Sequence, residues 1–107
     1  MNHTIHITTA AERDISKTLD YIEFIIKNPK TADDLLNELK YKINTLSSFP
    51  EQLPIVKDSL LASWGIHFIQ IKNYLAFYVI SKETHQVTLI RFLYKKSNWI
   101  SILKQSF

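Results

Sequence analysis

Apolar and polar residues alternate along His3-Thr4-Ile5-His6-Ile7-Thr8, with Ile5 and Ile7 on one side. A period of two belongs to a strand with one buried face. The period then lengthens. Thr9-Ala10-Ala11-Glu12 has the form of a capping box, in which the Thr9 hydroxyl accepts from the Glu12 N–H and the Glu12 carboxylate reaches back. Ile15, Leu19, Ile22 and Ile26 recur at spacings of four, three and four, one apolar stripe on a helix that runs to about Lys27. Asn28-Pro29 stops it, because proline disfavours helical geometry in the residue before it.

A second helix begins almost at once, with Asn28 or Thr31 as its cap and Asp33 and Asp34 in its positive first turn. Leu35/Leu36, Leu39, Ile43 and Leu46 form its stripe, and Ser47-Ser48-Phe49-Pro50 ends it. Two helices with almost no linker form an antiparallel hairpin whose apolar seam needs a partner surface. Residues 50–64, with Pro50, Pro54 and Lys57-Asp58, read as an ordered loop. After Gly65 come two strands, 66–71 and 74–80, joined by a tight turn at Lys72-Asn73, then a third strand at 87–94. Trp99-Ile100-Ser101-Ile102-Leu103 closes the chain as a short helical segment, a hydrophobic latch on the core. The order βααβββ predicts an α+β fold: a small antiparallel sheet that includes the N-terminal strand, with the helical hairpin on one face.

With 107 residues the chain has room for a single domain, and 46% hydrophobic residues suffice for a core. The absence of cysteine excludes disulfide scaffolds, thiol nucleophiles, zinc ribbons and iron–sulfur clusters. No apolar run reaches the ~18 residues of a membrane span, and Met1-Asn2-His3-Thr4 lacks the start of a secretion signal. A cytoplasmic protein is expected. His3 and His6 fall on opposite faces of a strand with no further ligand cluster, so neither a metal nor a cofactor is expected.

The formal charge of +3 is unevenly spread: residues 1–53 carry net −2 and residues 54–107 net +5. A basic C-terminal half suits a phosphate or an acidic partner.

The sequence resembles the RelE/ParE superfamily of bacterial type II toxins over nearly its whole length. The resemblance rests on the opening strand into Thr9-Ala10-Ala11-Glu12-Arg13-Asp14-Ile15, on Asn28-Pro29, and on Leu46-Ser47-Ser48-Phe49-Pro50. Gly65-Ile66, Asn73-Tyr74-Leu75-Ala76-Phe77-Tyr78, Arg91-Phe92-Leu93-Tyr94 and Asn98-Trp99-Ile100-Ser101-Ile102-Leu103 complete it. What the resemblance implies is a growth-arresting toxin neutralised by a cognate antitoxin. RelE-like members cut mRNA in the ribosome without a metal; ParE-like members bind DNA gyrase and trap its cleavage complex. Ribosome-dependent mRNA cleavage is taken first and gyrase inhibition as the alternative. Two positions depart from the pattern: His67 stands where many relatives have arginine, and Lys95-Lys96-Ser97-Asn98 replaces a Gly-Arg-Arg-Asp stretch.

Metal-free RNA cleavage needs a base, an acid and fixed positive charge at the phosphate. Arg91 offers the charge, since its planar fork suits phosphate oxygens and it interrupts an apolar strand. The alternative for Arg91 is an ion pair with Asp or Glu at a sheet edge. Tyr94 and His67 are the proton-transfer candidates. Lys95, Lys96 and Lys72 are candidate RNA-backbone contacts, or receivers of acidic antitoxin side chains. Trp64 and Trp99 could stack on bases, although Trp99 fits the latch better.

Overall fold

The computed structural model describes residues 2–106. Strand β1 (Thr4–Ile7) leads into helix α1 (Thr9–Asp20), one π-helical turn (Tyr21–Ile25) and helix α2 (Pro29–Ser48). A 3-10 turn (Pro50–Gln52) and helix α3 (Ser59–Ser63) precede strands β2 (His67–Ile71), β3 (Tyr74–Ser81) and β4 (Gln86–Tyr94), and helix α4 (Trp99–Gln105) ends the fold. Residues 50–64, expected to be loop, thus contain two short helical pieces. Asp58 caps α3 by accepting from the Leu61 N–H.

The four strands are ordered β1-β4-β3-β2. Pairs β2–β3 and β3–β4 are antiparallel hairpins. Strand β1 pairs with β4 in parallel, Ile5 beside Val87 and Ile7 beside Leu89, so the sheet is mixed and not wholly antiparallel. Alternation places Ile5 and Ile7 on the core face whichever way the neighbour runs, so the pattern carries no information on direction. The α+β architecture, with the hairpin on the sheet, is as expected.

Helices α1 and α2 cover one face of the sheet. Ala11, Ile22, Leu35, Leu39 and Leu46 pack there on Ile69, Ile71, Ala76, Tyr78, Val87, Leu89 and Phe92. The opposite face is covered as well: Val56, Leu61 and Leu103 meet Leu75, Phe77 and Ile90, with the Trp99 ring tilted by 37° against Phe77 at 5.1 Å. Central strand β3 is therefore apolar on both sides, and Leu75-Ala76-Phe77-Tyr78 is buried without interruption.

The first helix differs from expectation at both ends. Its cap is Thr8, whose hydroxyl accepts from the Ala11 N–H; Thr9 is the first helical residue. At the far end Ile26 N–H donates to the Tyr21 carbonyl, five residues back, and the helix widens by one residue. That extra residue rotates the stripe off the core. Ile22 stays buried, but Ile26 is 53% exposed, beside Phe24 at 64% and Ile25 at 67%. Lys27 turns the chain with φ +61, and Asn28 Oδ1 caps α2 through the Thr31 N–H, with Pro29 opening the helix.

Candidate functional site

Three groups were expected to converge, and they lie in three places. Strand β4 holds a bulge: Phe77 pairs with Arg91 while Tyr78 pairs with Leu89, leaving Ile90 as the extra residue. The bulge reverses the alternation, so Leu89 and Phe92 both face the hairpin and Arg91 turns to the α4 side. There its guanidinium is already occupied. Nε donates to Asp14 Oδ2 at 2.6 Å, Nη2 donates to Asp14 Oδ1 at 2.9 Å, and Nη1 donates to Ser106 Oγ at 2.9 Å. The same Asp14 oxygen that binds Nε accepts from the Phe92 N–H at 3.0 Å. Strand β1 ends before this point, so α1 completes the β4 edge in its place. Thr8 donates to the Leu89 carbonyl through its N–H and to the Ile90 carbonyl through its hydroxyl. Hydrogen bonding to Asp14 raises the Arg91 pKa above its already high ordinary value. Of the two readings of Arg91, the geometry supplies the ion pair at a sheet edge.

His67 opens edge strand β2. Its Nδ1 lies 2.8 Å from the Leu53 carbonyl oxygen, which can only accept, so that nitrogen carries the proton. The ring stacks on Tyr78 at 5.3 Å. Tyr78 in turn donates its hydroxyl to the Pro50 carbonyl at 2.7 Å, and burial drives its phenol pKa far upward. His67 is thus built into the support of the 50–55 segment.

Tyr94 stands at the other end of the sheet. It pairs with Tyr74, whereas His67 pairs with Tyr78; that is four residues, roughly 13 Å, along β3. Tyr94, Tyr74 and Tyr21 with Lys17 and Thr18 line a shallow recess of about 510 Å³ between α1 and the sheet. Tyr74 stacks on Phe92 at 5.2 Å and meets the edge of Tyr94 at 5.7 Å. Burial, reinforced by Tyr94 and Tyr21, raises the Tyr74 pKa. The Lys95 N–H donates to the Asn73 carbonyl at 2.8 Å, which draws the end of β4 against the β2–β3 turn. Lys72 in that turn and Lys95-Lys96 after β4 therefore lie at the same end of the sheet, all exposed, and none forms an ion pair among the described residues. Among the described residues no acidic side chain lines the recess.

The structure thus puts Tyr94 at the same end of the sheet as Lys72, Lys95 and Lys96, and away from Arg91 and His67. Tyr21, Tyr74 and Lys17 belong to the same recess and were not legible as a group, because α1, β3 and β4 meet only through tertiary packing. Trp99 serves the core as expected. Among the described residues no group of three His, Asp or Glu is placed to hold a metal, and no helix is long and apolar enough to cross a membrane.

Residues 5–99 match the family described as "ParE toxin of type II toxin-antitoxin system, parDE". No curated protein matches the sequence. Among solved structures, the chain is similar to one from the chromosomal ParDE toxin–antitoxin system of Pseudomonas aeruginosa. The TM-score is 0.66 at 13% identity, over 86% of this chain and 95% of that one. It is also similar to one from the toxin–antitoxin complex RelBE2 of Mycobacterium tuberculosis, with a TM-score of 0.62 at 20% identity, over 88% of this chain and 99% of that one. At these identities the likeness is one of fold.

Proposed function

The chain belongs to the ParE toxin family of type II toxin–antitoxin systems, and we propose that it arrests growth by binding its target, DNA gyrase, without covalent chemistry of its own. The observation that carries this reading is the filled fork of Arg91. All three kinds of guanidinium nitrogen already donate to Asp14 or Ser106, which leaves no free bidentate clamp for a phosphate whose charge rises in a transition state. The separation of His67 from Tyr94 supports it too, since an acid and a base must reach one reacting group. A cognate antitoxin encoded beside the toxin would hold it inactive, as the complexes of the similar structures suggest.

Ribosome-dependent mRNA cleavage is the second reading, favoured by Tyr94 at the same end of the sheet as Lys72, Lys95 and Lys96. Purified toxin added to gyrase and relaxed plasmid should block supercoiling and accumulate cleaved DNA, while transcript ends mapped after brief expression stay unchanged. New transcript ends with normal supercoiling would replace the first reading by the second.

A further inference from the structure

The recess between α1 and the end of the sheet has a biased lining. Its polar side-chain groups are the hydroxyls of Tyr21, Tyr74 and Tyr94, the Lys17 ammonium and the Thr18 hydroxyl. Thr18 is engaged, donating to the Asp14 carbonyl at 2.8 Å. The other four groups can each donate, and none has a hydrogen-bond or ion-pair partner among the described residues. Tyr74 keeps its proton at neutral pH, because burial, and after it Tyr94 and Tyr21, raise its pKa. The rings are held in advance. Tyr74 stacks on Phe92 and meets the edge of Tyr94. The Tyr21 N–H donates to the Lys17 carbonyl, which keeps both residues on one face of α1.

Aromatic faces combined with unpartnered donors narrow the ligand by exclusion. Three tyrosines could cage a cation, but the Lys17 ammonium stands in the same wall with no carboxylate to offset it. A neutral ring would leave the ammonium and the phenol protons without an acceptor. A bare inorganic anion would use the donors and leave the ring faces idle. From these exclusions we infer a binding site for a small planar anion of the nucleotide kind, a ring and a phosphate in one molecule. The ring stacks on Tyr94, the exposed one of the two tyrosines on the sheet. The phosphate oxygens accept from Lys17 Nζ and from the hydroxyls of Tyr21 and Tyr74. A volume of about 510 Å³ is in the range of small-molecule sites. The site needs nothing from the gyrase reading, and its failure would leave that reading untouched.

Calorimetric titration of the full chain with AMP, adenosine, inorganic phosphate and tetramethylammonium, at fixed ionic strength, tests the site. AMP should bind saturably and at least about fivefold tighter than adenosine or phosphate, the lower end of what one base–aromatic stack contributes. Two variants divide the ligand between its halves. Lys17→Gln should remove the advantage of AMP over adenosine, and Tyr94→Leu its advantage over phosphate. Both positions are exposed, so thermal unfolding should match wild type and serves as the folding control; if Tyr94→Leu melts early, Lys17→Gln decides by itself. No saturation by about 10 mM AMP, ten times a weak Kd of roughly 1 mM, overturns the site. AMP affinity unchanged in a stable variant of either kind overturns it too, because binding then lies elsewhere. Adenosine or phosphate binding as tightly as AMP removes half of the proposed ligand and has the same consequence. Displacement of AMP by tetramethylammonium would make the recess a cation cage, the opposite of what is proposed.

Discussion

Arg91 and Asp14 meet 77 residues apart in sequence, and the carboxylate serves two masters at once. One oxygen accepts from Arg91 Nε at 2.6 Å and from the Phe92 N–H at 3.0 Å, while the other accepts from Nη2 at 2.9 Å. The pair sits where β1 has ended and the backbone of β4 would otherwise lack a partner. It fastens α1 to the sheet, and through Ser106 it reaches the end of α4. Its side chains are only 21% and 13% exposed, so water competes weakly.

Removal of Asp14 leaves an unpaired guanidinium and an unsatisfied N–H. Asp14→Ala should destabilise by about 2–3 kcal/mol, below the full range for a deeply buried pair. Arg91→Ala should cost somewhat less, and the double variant less than the sum, because each single change breaks the same interaction. Growth arrest by Arg91→Ala should fall only as the folded fraction falls. A fully stable Arg91→Ala protein that no longer arrests growth would return Arg91 to the functional site.

The position of the helix cap is testable by neighbouring substitutions. Thr8→Ala removes the acceptor of the Ala11 N–H and the bond to the Ile90 carbonyl, at a cost of about 1–2 kcal/mol in urea unfolding. Thr9→Ala should change stability by no more than about 0.5 kcal/mol.

Tyr78 is fully buried and donates to the Pro50 carbonyl. Tyr78→Phe leaves that carbonyl without its partner and should cost about 1–2 kcal/mol. The phenol pKa is raised in the folded state by burial, and that of Tyr74 likewise. The unfolded chain therefore loses these protons first. Their contribution to stability is complete below about pH 10 and declines as the pH rises beyond it. Denaturant titrations between pH 8 and pH 11, on scales of roughly that window, should show a smaller decline in Tyr78→Phe.

Asp58 behaves in the opposite sense. The Leu61 N–H, then Lys104 at 3.2 Å, hold its carboxyl below the ordinary value. The stabilisation is present above the unfolded-state pKa and disappears as the pH falls through the folded one. Asn is an equally good cap, so Asp58→Asn should keep α3 at neutral pH while showing a smaller loss of stability on acidification. An unchanged acid profile would assign the effect elsewhere.

Lys72 sits at φ +54 with its carbonyl accepting from Gln70 Nε2. Lys72→Gly relieves the left-handed conformation and should raise stability by roughly 0.5–1 kcal/mol. Growth arrest should weaken despite that gain. A variant both more stable and equally toxic would show that the lysine is incidental to toxicity.

The sequence by itself determined the order of elements, the helical hairpin, the β2–β3 and β3–β4 ribbons and the latch of Trp99. Each of these is encoded locally, by period, by capping chemistry or by turn residues, and Asn28-Pro29 and Lys72-Asn73 were legible for that reason. The tertiary structure decided whatever depends on residues distant in sequence. Side-chain alternation is blind to strand direction, so the parallel pairing of β1 with β4 was not encoded in Ile5 and Ile7. A single extra residue at Ile90 reverses the faces of β4, and another in the π turn carries Ile26 from the core to the surface. Neither insertion disturbs composition or spacing. Arg91 looked like a free cation because its partner lies 77 positions away on α1, and Tyr94 gained Tyr21 and Lys17 as neighbours only when α1 packed along the sheet. A charge's partner and a pocket's walls are properties of packing, and packing is what one-dimensional periodicity leaves out.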